Sequence, residues 1–217
     1  ELGVPFKRCG KLVVGFSEED KEKLIAMKEQ GEKNGVKGLE IIGKDKIKEI
    51  EPNIDGEFAM WSKTTGILNP FLLTIALAEN AAANGAEYYF GNEVIDIKRV
   101  DDIYNIKTKK DTYKTRWVVN AAGLYSDKVS KMLGIDDYTI HPCRGEYFIL
   151  DEKVGSKLSL PAYPVPNPKE GGLGIHLTPT IDGNVFIGPS SEYIDERDDY
   201  SATQKIMDLL IKDGGRI

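Results

Sequence analysis

Cysteine, histidine and tryptophan are scarce in this chain of 217 residues, at two each. Cys9 and Cys143 form no C-x-x-C pair, so zinc and dithiol centres are not expected. Two buried, reduced thiols of a cytosolic, cytoplasmic protein are the ordinary reading. Long apolar runs are also missing. Nothing approaches the roughly 20 residues that span a bilayer, and no signal-peptide pattern is visible. A basic excess is absent. Lys and Arg total 29 against 35 Asp and Glu, a net charge of −6, which speaks against nucleic acid or an anionic membrane surface as partner. There is no internal repeat, low-complexity tract or long linker. The sequence opens on ELGVPFKRCG without methionine and stops at LLIKDGGRI, just after a helix-like run. It therefore reads as a piece of a longer protein.

What is present is ordinary globular material, 41% hydrophobic and 29% charged. The length suits one large domain or two small ones. KLVVGF (11–16) reads as a strand. Ser17 and Asp20 then make a capping-box-like helix start, with a stop at Asn34-Gly35. A short helix over 44–52 ends at Pro52, and EFAMWS (57–62) reads as a strand. The clearest helix is 68–85, with Asn69 as cap, Pro70 in the first turn and Gly85 at the end. Its face of Phe71, Leu72, Ile75, Leu77 and Ala78 suits packing on a sheet. AEYYF, EVIDIKRV, IYNIKTK and TYKTRWVVN read as strands, with turns at Asp101-Asp102 and Lys110-Asp111. A helix follows from about Asp127 to Leu133, closed by Gly134. GEYFIL (145–150) reads as a strand. LPAYPVPNP (160–168), with four prolines, is expected to be extended and irregular. GLGIHLTPT and NVFIGPS form a hairpin around Asp182-Gly183. The fold is mixed α and β, with more strand expected in the second half.

Three places could carry chemistry. In VVNAAGLYSD (118–127), Ala121, Ala122 and Gly123 sit where a strand-like run meets a helix start. Such small residues either admit a nucleotide phosphate beside free helical N–H groups or mark tight packing. Alternation in GLGIHLT puts Leu173, Ile175 and Leu177 on one face and Gly174, His176 and Thr178 on the other. His176 is either a surface histidine or a proton acceptor with room for a ring or substrate beside it. Arg144, heading RGEYFIL, either holds a carboxylate or phosphate in two hydrogen bonds or is a solvated strand end. Gly145 would let backbone pass close to a ring, and Tyr147 shares its face. Thr65-Gly66 is either a turn beside a bound ring or a plain loop, His141 is a structural loop histidine, and EEDKEK is a solvated helix face.

TTGILNPFLLTIALAENAAANGAEYYFGNEVIDI, VVNAAGLYSDKVSKMLG, HPCRGEYFIL and YPVPNP…LGIHLTPTIDGNVFIGPSSEY, in this order, resemble FAD-dependent oxidoreductases of the D-amino-acid oxidase superfamily. The resemblance covers roughly residues 10 to 200. The last two segments resemble the members that oxidise hydroxy compounds, which include glycerol-3-phosphate dehydrogenases and L-2-hydroxyglutarate dehydrogenases. The resemblance implies an α+β fold: a mixed, largely antiparallel substrate-domain sheet with flanking helices, plus an incomplete piece of the FAD-binding α/β domain. The substrate domain would take 1–68 and 138–196 and the middle of the FAD-binding domain 69–137, with a C-terminal helix over 197–217. By the same resemblance Val94 would lie beside the adenine end of FAD, unless it is plain core. Ala121, Ala122 and Gly123 would face the cofactor backbone, and Ser126 would cap the helix. His176 and Arg144 would be catalytic, with Arg144, Gly145, Tyr147 and Thr178 lining the substrate.

One feature of the family is missing. Its G-x-G-x-x-G turn for the FAD pyrophosphate has no counterpart, since GGLGIH (171–176) leads into a strand. The closing segment that returns to the flavin is absent too. The chain alone is therefore not expected to retain FAD. The implied reaction is oxidation of a CH–OH group of a small anionic substrate, by hydride transfer to flavin. Glycerol-3-phosphate leads, a 2-hydroxy acid such as L-2-hydroxyglutarate follows, and amine oxidation ranks third. The electron acceptor stays open between oxygen, quinone and an iron–sulfur partner. Glycerol-phosphate enzymes can also associate with membranes through parts outside this segment. A non-enzymatic module binding a small anion or a protein is the contrasting reading.

Overall fold

The computed structural model describes residues 2–166 and 174–215. Gly171, Gly172, Leu173, Asn167 and Pro168 of the segments discussed above lie outside the described residues. In chain order the strands are β1 (Phe6–Lys7), β2 (Lys11–Gly15), β3 (Leu39–Gly43), β4 (Phe58–Ser62), β5 (Ile67–Leu68), β6 (Val94–Val100), β7 (Ile103–Thr108), β8 (Thr112–Thr115), β9 (Cys143–Arg144), β10 (Phe148–Leu150), β11 (Ala162–Pro164), β12 (His176–Pro179), β13 (Val185–Gly188) and β14 (Glu192–Tyr193). The helices are α1 (Glu18–Lys33), α2 (Lys44–Ile50), α3 (Pro70–Ala83), α4 (Ser126–Lys131), α5 (Glu152–Gly155) and α6 (Gln204–Gly214). Strands are not concentrated in the second half, because β1 to β7 all precede residue 109.

The chain divides into two compact units. The first holds residues 1–80, 144–192 and 200–217, the second 81–143 and 193–199.

The first unit is built on a seven-stranded sheet of order β10-β13-β12-β11-β2-β4-β3. All its pairs are antiparallel except β11 with β2. Alternation splits KLVVG between two cores. Leu12 and Val14 join Ile42, Ala59, Ala162 and Val185 on one face, under Ile47 of α2. Val13 joins Met60 and Leu39 on the other, under Leu24 of α1. The start of α1 keeps the expected cap, Ser17 Oγ accepting from Asp20 N at 3.2 Å, while Asp20 Oδ2 reaches one residue further back to accept from Phe16 N at 3.0 Å.

Three expectations are overturned. The proline-rich segment is not irregular throughout, since Ala162–Pro164 is a central strand. Proline lacks an N–H but keeps its carbonyl, so the ladder draws donors from other residues. Leu12 N donates to Pro161 O at 2.9 Å and Val165 N to Val14 O at 3.1 Å. Next, α3 is capped as expected, Asn69 Oδ1 accepting from Phe71 N and Leu72 N. Yet none of its residues is buried, and Phe71 is 78% exposed, because no described element covers that face. Finally, AEYYF forms no strand, and TYKTRWVVN is a strand only to Thr115. Trp117 and Val119 beyond it are 84% and 89% exposed. Among the described residues no strand pairs with that stretch, so its backbone gains no ladder.

The second unit carries the meander β6-β7-β8, with Ile97 buried in it. A 3₁₀ turn, Gly123–Tyr125, leads into α4. That helix is shorter at its C-terminal end than the sequence pattern suggests.

Candidate functional site

In the first unit, one sheet face carries Val13 at one end and a polar, aromatic row at the other. The bridge Ala162↔Leu177 puts Tyr163 beside His176, and His176 pairs with Gly188. Phe148↔Ile187 then puts Tyr147 beside Gly188. The rings of Tyr163 and His176 stack, centroids 4.0 Å apart and planes 16° from parallel. Lys11 Nζ stands 5.0 Å from the Tyr163 centroid. Gly188 has φ +143°, and a Cβ there would come 2.9 Å from both Glu146 O and Tyr147 Cδ1. Only glycine lets the Tyr147 ring lie that close to the strand.

His176 is 8% exposed, so the surface-histidine alternative falls. Its Nδ1 is 3.1 Å from Gly174 O. A carbonyl only accepts, so the proton is assigned to Nδ1, which leaves the Nε2 lone pair for another proton. Burial lowers the imidazole's pKa below its ordinary value. The Gly174 bond opposes that shift and the Lys11 ammonium adds to it. Thr178, two residues on along the same face, has a buried Oγ1 with no partner among the described residues.

Arg144 lies apart from this row. Its Nη2 is 2.8 Å from Glu192 Oε2 and 3.5 Å from Glu146 Oε1, and Nη1 donates to Ser201 Oγ at 2.7 Å. Glu146 in turn accepts from Thr203 N at 2.6 Å, at the start of α6. The guanidinium thus faces the protein's own carboxylates. The Cβ position of Gly145 meets Pro189 Cβ at 2.9 Å and Ser190 O at 3.2 Å, so its close approach is to this chain's backbone. A cavity of about 220 Å³ beside Glu146, Tyr147, Thr203 and Met207 is smaller than the roughly 300 Å³ at which ligand pockets begin.

In the second unit, Ala121, Ala122 and Gly123 are exposed. Gly123 has φ +55° and nothing within 4 Å of where a Cβ would stand. The corner is open, so tight packing does not explain its small residues. Val94 is half-buried opposite Thr108 in β6. Ser126 does not cap α4. Its hydroxyl donates to Gly123 O at 2.9 Å, and the capping position is Tyr125 without a side-chain bond. The six residues of α4 also make a weak dipole for a phosphate.

Asp127, marked in the sequence only as a helix start, organises this turn. Asp127 is 2% exposed and holds Arg197 with both oxygens, at 2.6 and 2.8 Å. It also accepts from Lys128 N and Ile140 N. Arg197 drives its carboxyl far below the usual carboxylate range. The visible signal was an acid in the first helical turn, but its partner lies 70 residues on. Lys11 and Tyr163 are unmarked in the sequence, because the neighbours of β11 follow from sheet order.

A family model described as FAD dependent oxidoreductase matches residues 1–216. The chain belongs to the DAO family of FAD-dependent oxidoreductases. The chain of this DAO-family protein is 41% identical over 214 residues to a glycerol 3-phosphate dehydrogenase of Caloramator mitchellensis, covering 98% of this chain and 44% of that protein. It is 33% identical over 228 residues to a mitochondrial L-2-hydroxyglutarate dehydrogenase of Nematostella vectensis, covering 98% and 49%. Among solved structures, L-alpha-glycerophosphate oxidase from Mycoplasma pneumoniae with FAD bound superposes with TM-score 0.88 at 25% identity, covering 99% of this chain and 58% of that one. The DAO-family chain thus spans about half the length of the relatives it matches. Among the described residues no helix is long and apolar enough to cross a membrane, and no cluster of metal-ligating side chains occurs.

Proposed function

We propose that this chain supplies the substrate-side sheet and a middle piece of the cofactor domain of a dehydrogenase oxidising the CH–OH carbon of a small anionic substrate, glycerol-3-phosphate first. The observation that carries this reading is the buried His176, whose Nδ1 lies 3.1 Å from Gly174 O and whose pKa burial pushes down. Nε2 then takes the hydroxyl proton as the carbonyl forms. FAD, when bound, supplies the two-electron acceptor for the hydride. The open corner fits such a cofactor: Ala121, Ala122 and Gly123 leave room for its backbone, with Val94 on the same unit. Tyr147 and Thr178 share the sheet face of His176 and border the substrate in this reading. Arg144 and Gly145 orient the strand that carries Tyr147 through Glu192, Glu146 and Ser190.

The ranking of glycerol-3-phosphate above L-2-hydroxyglutarate rests on 41% against 33% identity. The test is a steady-state assay of the full-length protein with both substrates. A kcat/KM at least about tenfold higher for glycerol-3-phosphate, some 1.4 kcal/mol of transition-state preference, is expected. The reverse order would establish the 2-hydroxy acid instead.

A further inference from the structure

We propose that Lys11 is a positioning residue for His176: its ammonium, on one face of the Tyr163 ring, keeps the imidazole stacked on the other face uncharged. In the sheet, β11 lies between β2 and β12, so Lys11 and His176 approach Tyr163 from opposite sides. The ring centroids are 4.0 Å apart and the ammonium is 5.0 Å from the phenol centroid.

A phenol face attracts one cation. A second cation on the opposite face would draw on the same ring electrons and repel the first through the stacked rings. Charging His176 therefore costs more with Lys11 in place. Among the described residues, Lys11 is the one charged group that shifts the His176 titration. Packed against His176 are Tyr163 from β11, Gly188 and Phe186 from β13 and, one strand further, Tyr147 from β10. None is a carboxylate. Among the described residues Lys11 has no ion-pair partner, so its charge is not cancelled before it reaches the ring. Burial lowers the Lys11 pKa from an ordinary value that lies about four units above that of imidazole.

The inference rests on the reading of His176 as proton acceptor only for its purpose, because the charge effect is measurable without turnover. In the full-length holoprotein, the His176 titration is followed by NMR and assigned with H176N. K11M and K11Q are expected to raise its midpoint, whereas K11R keeps it low. The acid limb of kcat/KM should move upward in K11M and return in K11R, which lost packing alone would not produce. An unmoved midpoint in both uncharged variants, or K11R behaving like K11M, overturns the inference. K11Q serves where K11M melts early. Retained activity in H176N would defeat the functional reading and leave the titration result intact.

Discussion

His176 is 8% exposed, and burial sets the direction of its titration. A buried imidazole gives up solvation when it charges, so it stays a base into mildly acidic pH. The acid limb of kcat/KM for the full-length protein is accordingly expected below about 6.5, the free imidazole value. H176N should lower kcat by about 10²–10⁴-fold, the usual contribution of a positioned base, with an unchanged circular dichroism spectrum. Near-normal turnover would remove the residue from the reaction. Asp127 titrates in the opposite sense. Arg197 sets its folded pKa below the unfolded value of about 3.9. Its stabilisation is therefore complete above that value and drains away as pH falls toward the folded one. D127N should lower the melting temperature most near neutrality, with the gap closing in acid. A gap independent of pH would show that the ion pair contributes nothing. Of these two residues the sequence marked only His176 for chemistry, through alternation in its strand. Asp127 needed a partner from a distant segment.

At the scale of elements, local chemistry was legible wherever both partners lie within a few residues. Ser17 with Asp20, Asn69 with the N–H groups that follow it, and the Asp182-Gly183 hairpin all stand as read. α1 earns its place through Leu24, which has no exposed surface against Val13 and Met60. L24A should cost about 2–5 kcal/mol in urea unfolding. A change under about 1 kcal/mol would mean that the helix can collapse onto the sheet. β11 was illegible for the contrary reason. Its prolines forbid donation, and only the strands on either side reveal that donors from β2 and Val165 complete the ladder.

At the scale of the whole molecule, apolar surface stays uncovered in the described structure, at Phe90, Trp117 and Val119 above all. In the 217-residue chain by itself Trp117 should emit as a water-exposed indole. Iodide should quench most of that emission, and W117F should remove the quenchable part while half-buried Trp61 remains. Quenching that W117F leaves unaltered would place Trp117 under cover. The apolar run before Ala121 invited the reading of a buried strand, yet hydrophobicity says only what burial would favour. A neighbouring strand must supply it.

Caps, turns, the two-faced alternation of KLVVG and the likeness to flavin-dependent oxidoreductases were determined by the sequence alone, because each depends on residues close together along the chain. Sheet order was decided by the tertiary structure. It alone set Lys11, Tyr163 and His176 on three adjacent strands, gave Asp127 to Arg197 and turned Arg144 toward Glu192. The physical reason is that an ammonium, a ring and an imidazole act on one another through a few ångströms of space, whatever number of residues separates them.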